Sequence, residues 1–415
     1  MNLFNFYLRQ NFQFCVVINL ETMKTIRKFF LTMTTTISLG ASAQASGLHL
    51  KVYNPGAKAI FPVTSTIIYG DKDAILVDAQ FQKQFALQLV QEITATKKNL
   101  KAIYISHSDP DYYFGLDVIK KAFPDARIIS TAQTAYLIGA SKDEKLKVWA
   151  PQMKGDAPGE LIVPTAVNSI PDLEGNKIEI IQTADDPAHS FLYIPSLKTV
   201  LGGVSVAEGS HLWMADTQNM QALNNWIGQI NKMKSLTPLK VIPSHFVTSD
   251  FSPKSLDFMY QYLNNYKEAV TENHTSAGIV SFMEKKYPGL PGKDALEMGA
   301  KVFTGEMAWA VKSPYPPIGH KVIVNFEGNV FELTFRDNRK MSFIGLDGAF
   351  KGATDDVEYT AVEVAKNVFM VYWQEPKTTT NVTHVQNYNT HQVWTNIAGK
   401  DGSFVHLNGT IKVLE

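Results

Sequence analysis

Cysteine is nearly missing from this chain: Cys15 is the only one in 415 residues. It lies upstream of the point where an N-terminal segment is expected to be removed. The mature protein is therefore expected to hold no disulfide, no thiolate nucleophile and no Cys-ligated zinc. Neither sign of charge is in excess, since Lys+Arg and Asp+Glu both number 39, and this speaks against nucleic acid or an anionic membrane surface as a partner. Beyond the N-terminus no apolar run reaches the ~20 residues that a spanning helix needs. A Gly-x-Ser-x-Gly nucleophile elbow, a P-loop and a dinucleotide fingerprint are all lacking, which removes the serine hydrolases and nucleotide-binding enzymes that those motifs mark. No repeat, low-complexity segment or charge block suggests a purely structural protein.

The N-terminus carries a clear pattern. From Met23 the chain reads Met-Lys-Thr-Ile-Arg-Lys, then an apolar and Thr-rich run from Phe29 to Leu39, then Ala41-Ser42-Ala43-Gln44-Ala45. A basic start, a short apolar core and small residues at alternate positions are the features of a secretory signal. Residues 1–22 are expected to be an upstream extension and residues 23–45 the signal, giving a periplasmic or secreted protein with no membrane attachment after cleavage. Removing residues 1–45 takes away four basic residues and one acidic one, leaving 35 basic against 38 acidic.

At this length two domains are expected. From residue 48 to about 250, short apolar strands alternate with amphipathic helical stretches. Ile67 to Tyr69 and Ala74 to Val77 read as a hairpin turned at Gly70-Asp71-Lys72-Asp73, and Phe85, Leu89 and Ile93 mark one face of a helix packed on a sheet. The stretch from Ser252 to Lys286 is helical, and Tyr287-Pro288-Gly289-Leu290-Pro291-Gly292 breaks it, so one domain is expected over 48–290 and another over 300–415. Beyond Trp309 the period changes to two, and eight short strands, beginning with His320 to Phe326 and ending with Val405 to Val413, predict a closed antiparallel meander. Trp373 and Trp394 are expected to fill its core.

Chemistry concentrates in Ser106-His107-Ser108-Asp109-Pro110-Asp111-Tyr112, which follows directly on the apolar run Ala102 to Ile105. A loop at the carboxyl end of a buried strand is where open α/β sheets place their active groups. An imidazole and two carboxylates at alternate positions suit cation binding or acid–base work. The spacing resembles the metal loop of the metallo-β-lactamase superfamily, Thr/Ser-His-x-His-x-Asp-His, with Asp109 and Tyr112 standing where that family has its second and third histidines. Other motifs follow in the family's order. Asp78 matches an aspartate that supports the loops, Asp185 occupies the place of the next histidine, Gly202-Gly203 replaces a Gly-Asp pair that bridges two metals, and Ser244-His245 supplies the last ligand.

The resemblance implies an α+β chain: a metallo-β-lactamase-like αβ/βα sandwich followed by an antiparallel β-barrel. The second half is similar to lipocalin-type MoaF-like barrels, on Val371-Tyr372-Trp373 and Leu407-Asn408-Gly409-Thr410-Ile411. The implied metal ligands are His107, Asp109, Asp111, Asp185 and His245, with His189, His211 and Tyr112 in auxiliary positions. Such a carboxylate-rich set suits one divalent ion (zinc, manganese or iron), or none, rather than a dinuclear centre. The function implied is an exported hydrolase of a small-molecule substrate, in which a single metal activates water and Asp111 orients or deprotonates it. The alternative is an inactive member whose barrel binds a small apolar ligand.

Overall fold

The computed structural model of the protein describes residues 47–414 other than Ala184. The expected extension, the signal from Met23 and Cys15 lie outside the described residues. Among the described residues no helix is long and apolar enough to cross a membrane.

The first half begins with β1 (His49–Tyr53), β2 (Ser65–Tyr69), β3 (Asp73–Val77), helix α1 (Lys83–Ala95), β4 (Asn99–Ile105), a short α2 (Pro110–Tyr113), α3 (Leu116–Ala122) and β5 (Arg127–Ser130). The long α4 (Ala132–Met153), β6 (Thr165–Ala166), β7 (Glu179–Thr183), β8 (Asp186–Ile194), β9 (Thr199–Leu201) and β10 (Ala207–Glu208) follow. Then come α5 (Met220–Ser235), β11 (Lys240–Ile242), β12 (His245–Phe246), α6 (Lys254–Glu272), α7 (Ser276–Lys286) and α8 (Lys293–Phe303). Strands β1 to β6 form one sheet in chain order, and β11-β9-β8-β7 form a second. The hairpin of β2 and β3 pairs antiparallel, whereas β3, β4 and β5 run parallel and bring their carboxyl ends to one edge.

Alternation along the strands builds the layers. In β3, Ala74 and Leu76 pack toward α1, whose Phe85, Leu89 and Ile93 are buried, while Ile75 and Val77 face the second sheet. In β9, Leu201 faces the first sheet and Val200 faces the outer helices α5 and α6. A sheet buried on both faces needs apolar residues in succession, and Ile103-Tyr104-Ile105 of β4, all fully buried, have that character. The result is an αβ/βα sandwich. The Pro/Gly break at 287–292 does not end this half: α8 follows it, and its Leu296 and Ala300 join the same core as α5, α6 and α7.

The second half is a closed barrel of eight strands in chain order: β13 (Lys321–Phe326), β14 (Asn329–Phe335), β15 (Lys340–Asp347), β16 (Thr354–Ala365), β17 (Val368–Glu375), β18 (Thr380–Asn387), β19 (Gln392–Ala398) and β20 (Phe404–Val413). Antiparallel pairing of β13 with β20 closes it. Inward positions alternate with outward ones, as Phe369, Val371 and Trp373 do in β17. Trp394 departs from expectation: it occupies an outward position between buried Val393 and Thr395 and is exposed. Tyr315, fully buried, packs among Phe335, Tyr359 and Phe369 and donates its hydroxyl proton to Gln386 Oε1 at 2.7 Å. Tyr136 and Leu137 of α4 join this core, so the long helix packs against both halves.

Candidate functional site

The loop after β4 is held from beneath. Asp78 ends β3 with φ +64°, and its carboxylate accepts from Ser106 N at 2.8 Å and from Ser106 Oγ at 2.7 Å. Burial is the largest influence on this carboxyl and, with the charge of Asp111 added, pushes it up to about 8 against the two Ser106 hydrogen bonds. Ala79 N donates to Tyr112 O, and Gly115 N to Gln80 O, which ties the loop to the turn after β3. Ser106 Oγ also accepts from Gly203 N at 2.8 Å.

Gly203 stands at the position that the resemblance gives to a metal-bridging aspartate. Its φ is +73°, and a Cβ there would lie 2.1 Å from Ser190 O. The backbone approaches too closely for any side chain, so a carboxylate is sterically excluded from this position.

Two imidazole–carboxylate pairs rise from the loop. In the first, His107 Nδ1 lies 3.2 Å from the donating Asp109 amide and 3.4 Å from Asp109 Oδ2. In the second, His245 Nε2, at the start of β12, lies 3.3 Å from Asp111 Oδ2. Between them stands Tyr112, fully buried, with its ring edge-on to both imidazoles at centroid distances of 5.3 and 6.1 Å. Burial, followed by the charge of Asp111, holds its phenol well above the ordinary value, so it remains neutral beside Ser244. A neutral phenol is a poor metal ligand, and here it separates the two pairs.

His189 joins the first pair: its ring stacks on His107 at 5.2 Å and 12°, and its Nδ1 is 2.7 Å from Asp186 Oδ1. Partial burial would lower this imidazole, but the Asp186 hydrogen bond and the charges of Asp186, Asp109 and Asp216 outweigh it and raise it. Asp185 stands apart from the expected grouping. It is exposed in the turn between β7 and β8, and its backbone carbonyl accepts from Asn225 Nδ2 at 2.7 Å. His211 is also elsewhere, buried against the outer helices with Nδ1 2.8 Å from the Tyr262 hydroxyl.

Several residues enter the site that the motif did not indicate. Lys145 Nζ lies 3.0 Å from Asp109 Oδ1 and donates to Ser108 O at 2.8 Å. Partial burial would raise the Asp109 carboxyl, but Lys145 and His107 hold it well below the usual carboxylate range. The signal for Lys145 lay in spacing, because it falls at four-residue intervals from Leu137 and Ser141, both on the buried face of α4. Near the rim, Asp216 accepts from the indoles of Trp213 and Trp309, each at 2.8 Å, and the two rings meet edge to face at 5.8 Å.

Among the described residues, no three His, Cys, Asp or Glu side chains converge as a group able to hold a metal ion. The residues present do not fit one in this arrangement. Asp109 is already neutralised by an ammonium, Tyr112 divides the imidazoles, and Gly203 leaves no room for a bridging carboxylate.

Comparison with known families agrees with the layers and the barrel. The chain carries a metallo-β-lactamase superfamily domain over residues 60–245. A MoaF-like domain follows over residues 318–412. Among solved structures, the chain is similar to the metallo-β-lactamase from Pontibacter korlensis, with 18% identity over 52% of this chain and 94% of that one and a TM-score of 0.36. It is also similar to the DIM-1 metallo-β-lactamase exposed to ceftazidime, with 15% identity over 52% of this chain and 91% of that one and a TM-score of 0.37. No curated protein matches the chain.

Proposed function

We propose that this protein is a superfamily member that binds a small molecule at the loop after β4 and does not use a catalytic metal. The observation that carries this reading is Lys145: its ammonium pairs with Asp109, the residue at a ligand position of the family motif, and so occupies the carboxylate that would otherwise attract a cation. The site then offers hydrogen-bonding groups of both kinds, from His107, His189, His245 and Asp111, with the Trp213 and Trp309 indoles held by Asp216 at its rim. Fold alone does not argue for hydrolysis, because function lives in the site. The basic, apolar and small-residue pattern from Met23 supports an exported protein.

Membership of the superfamily favours a second reading, a metal-dependent hydrolase. In that case a rearranged site would bring His107, His189, Asp111 and His245 around one divalent ion, with Lys145 displaced. The two readings separate in a hydrolysis screen with β-lactam, lactone, thioester and phosphoester substrates, run with added zinc, manganese or iron(II). Absence of turnover with every metal supports the first reading. Turnover that disappears in a folded Asp111→Ala variant refutes it.

A further inference from the structure

A pocket opens between the two halves of the chain. It is a cleft of about 330 Å³, within the size range of small-molecule sites. Its floor on the sandwich side is the start of α4, a helix of 22 residues. Thr131 caps that helix by accepting from Thr134 N through its side chain at 3.2 Å. The Ala132 and Gln133 N–H groups have no partner among the described residues, and both residues line the cleft. Such a helix start attracts negative charge through its free amides and its dipole.

An independent feature points to a ligand. Gln133 is 4% exposed, and its Nε2 donates to Tyr315 O at 2.8 Å, while its Oε1 has no hydrogen-bond partner among the described residues. A buried amide oxygen without a donor is unfavourable by about 1–3 kcal/mol unless something supplies one. Across the cleft, the barrel side presents His320 and Arg336, whose guanidinium also pairs with Asp356 at 2.5 Å. Among the described residues no Asp or Glu lines the cleft. Val167, Ile180, Pro187 and Ile318 form apolar wall.

The geometry points to this cleft as a binding site for a small organic anion: a carboxylate set against the α4 amides and Arg336, an apolar body against the walls, and a hydroxyl or amide donor for Gln133. The site is distinct from the loop after β4. From Gln133 to Lys145 along α4 the distance is about 18 Å at 1.5 Å per residue. A bound ligand would touch both halves of the chain and so favour their association, whether or not the loop after β4 is catalytic.

The test uses the purified chain and 6-hydroxy-2-naphthoate as probe, with the neutral 6-hydroxy-2-naphthamide as control, followed by calorimetry. The expected result is saturable binding of one probe per chain, at least tenfold weaker for the amide. Asn168 and Arg336 are both exposed, so Asn168→Trp at the mouth and Arg336→Gln on the barrel side leave the fold intact, which thermal unfolding checks. Asn168→Trp is expected to abolish binding and Arg336→Gln to weaken it about tenfold. The inference is overturned by a lack of saturable binding, by equal affinity for acid and amide, or by binding that neither substitution changes.

Discussion

Lys145 lies on α4 and Asp109 on the loop after β4, 36 residues apart, yet their charged groups meet at 3.0 Å. The pair is partly sheltered, with side-chain exposures of 26% and 31%. Lys145→Met is therefore expected to destabilise the fold by about 1–3 kcal/mol, since it strands a partly buried carboxylate. Lys145→Arg is expected to retain most of that stability. Urea unfolding of the two variants beside the parent measures the difference.

Gly203→Ala is expected to be more damaging than its size suggests. The added Cβ would meet Ser190 O at 2.1 Å and would sit on a residue with φ +73°. Strain of this kind is worth about 1–3 kcal/mol, and the backbone shift needed to relieve the clash adds to it. Gly203→Asp, which restores the family's residue, is expected to unfold more readily than the parent and to gain no zinc affinity. Thermal melts with and without zinc report both outcomes.

Stability is expected to fall as pH rises from mildly acidic to mildly alkaline values. Asp78 is buried and pushed up to about 8, whereas an unfolded aspartate titrates near 3.9. Between those values the native state holds the extra proton, so its contribution is complete below about pH 4 and lost as pH passes 8. His189 works in the same direction: its raised imidazole stabilises below the ordinary histidine value, and the benefit disappears as pH passes the raised one. Urea midpoints between pH 5 and pH 8.5 should decline, and Asp78→Asn should flatten the decline.

The histidines should separate in a proton NMR titration. His189 is expected above the ordinary imidazole value, because Asp186 and two further carboxylates outweigh its partial burial. His211 is expected below it, since burial against the outer helices is its largest influence. Burial inside the barrel lowers His384 to about 3. A His211→Ala variant should leave the His189 titration unchanged, because the two rings belong to different regions.

Much of the architecture was legible in the sequence, because period decides it. The two-residue alternation from His320 onward marked the barrel strands, and the buried Phe85, Leu89 and Ile93 marked α1. The loop after Ile105 was legible as the centre of the chemistry, since it combines a strand end with crowded polar residues. What a linear motif does not show is which long-range neighbour completes each residue. Lys145, Asp186 and Asp216 reach the site from separate elements. Asp185 falls in a ligand set by its position in a motif, but it turns outward one residue before the carboxylate that engages His189. The break at 287–292 reads as a boundary because Pro and Gly end helices. Nothing local reveals that α8 resumes beyond it and packs back on the same core. Trp394 reads as inward by residue type, although the alternation of β19 places it outside.

Lys145, Tyr112 and Gly203 are proposed to leave the loop after β4 without a metal site. Its most direct test is the metal content of the purified chain by mass spectrometry, before and after dialysis against zinc, manganese and iron(II). The expected result is far less than one ion per chain in every case, with no change in His107→Ala or His245→Ala. About one tightly held ion per chain, lost in either of those variants, would contradict it.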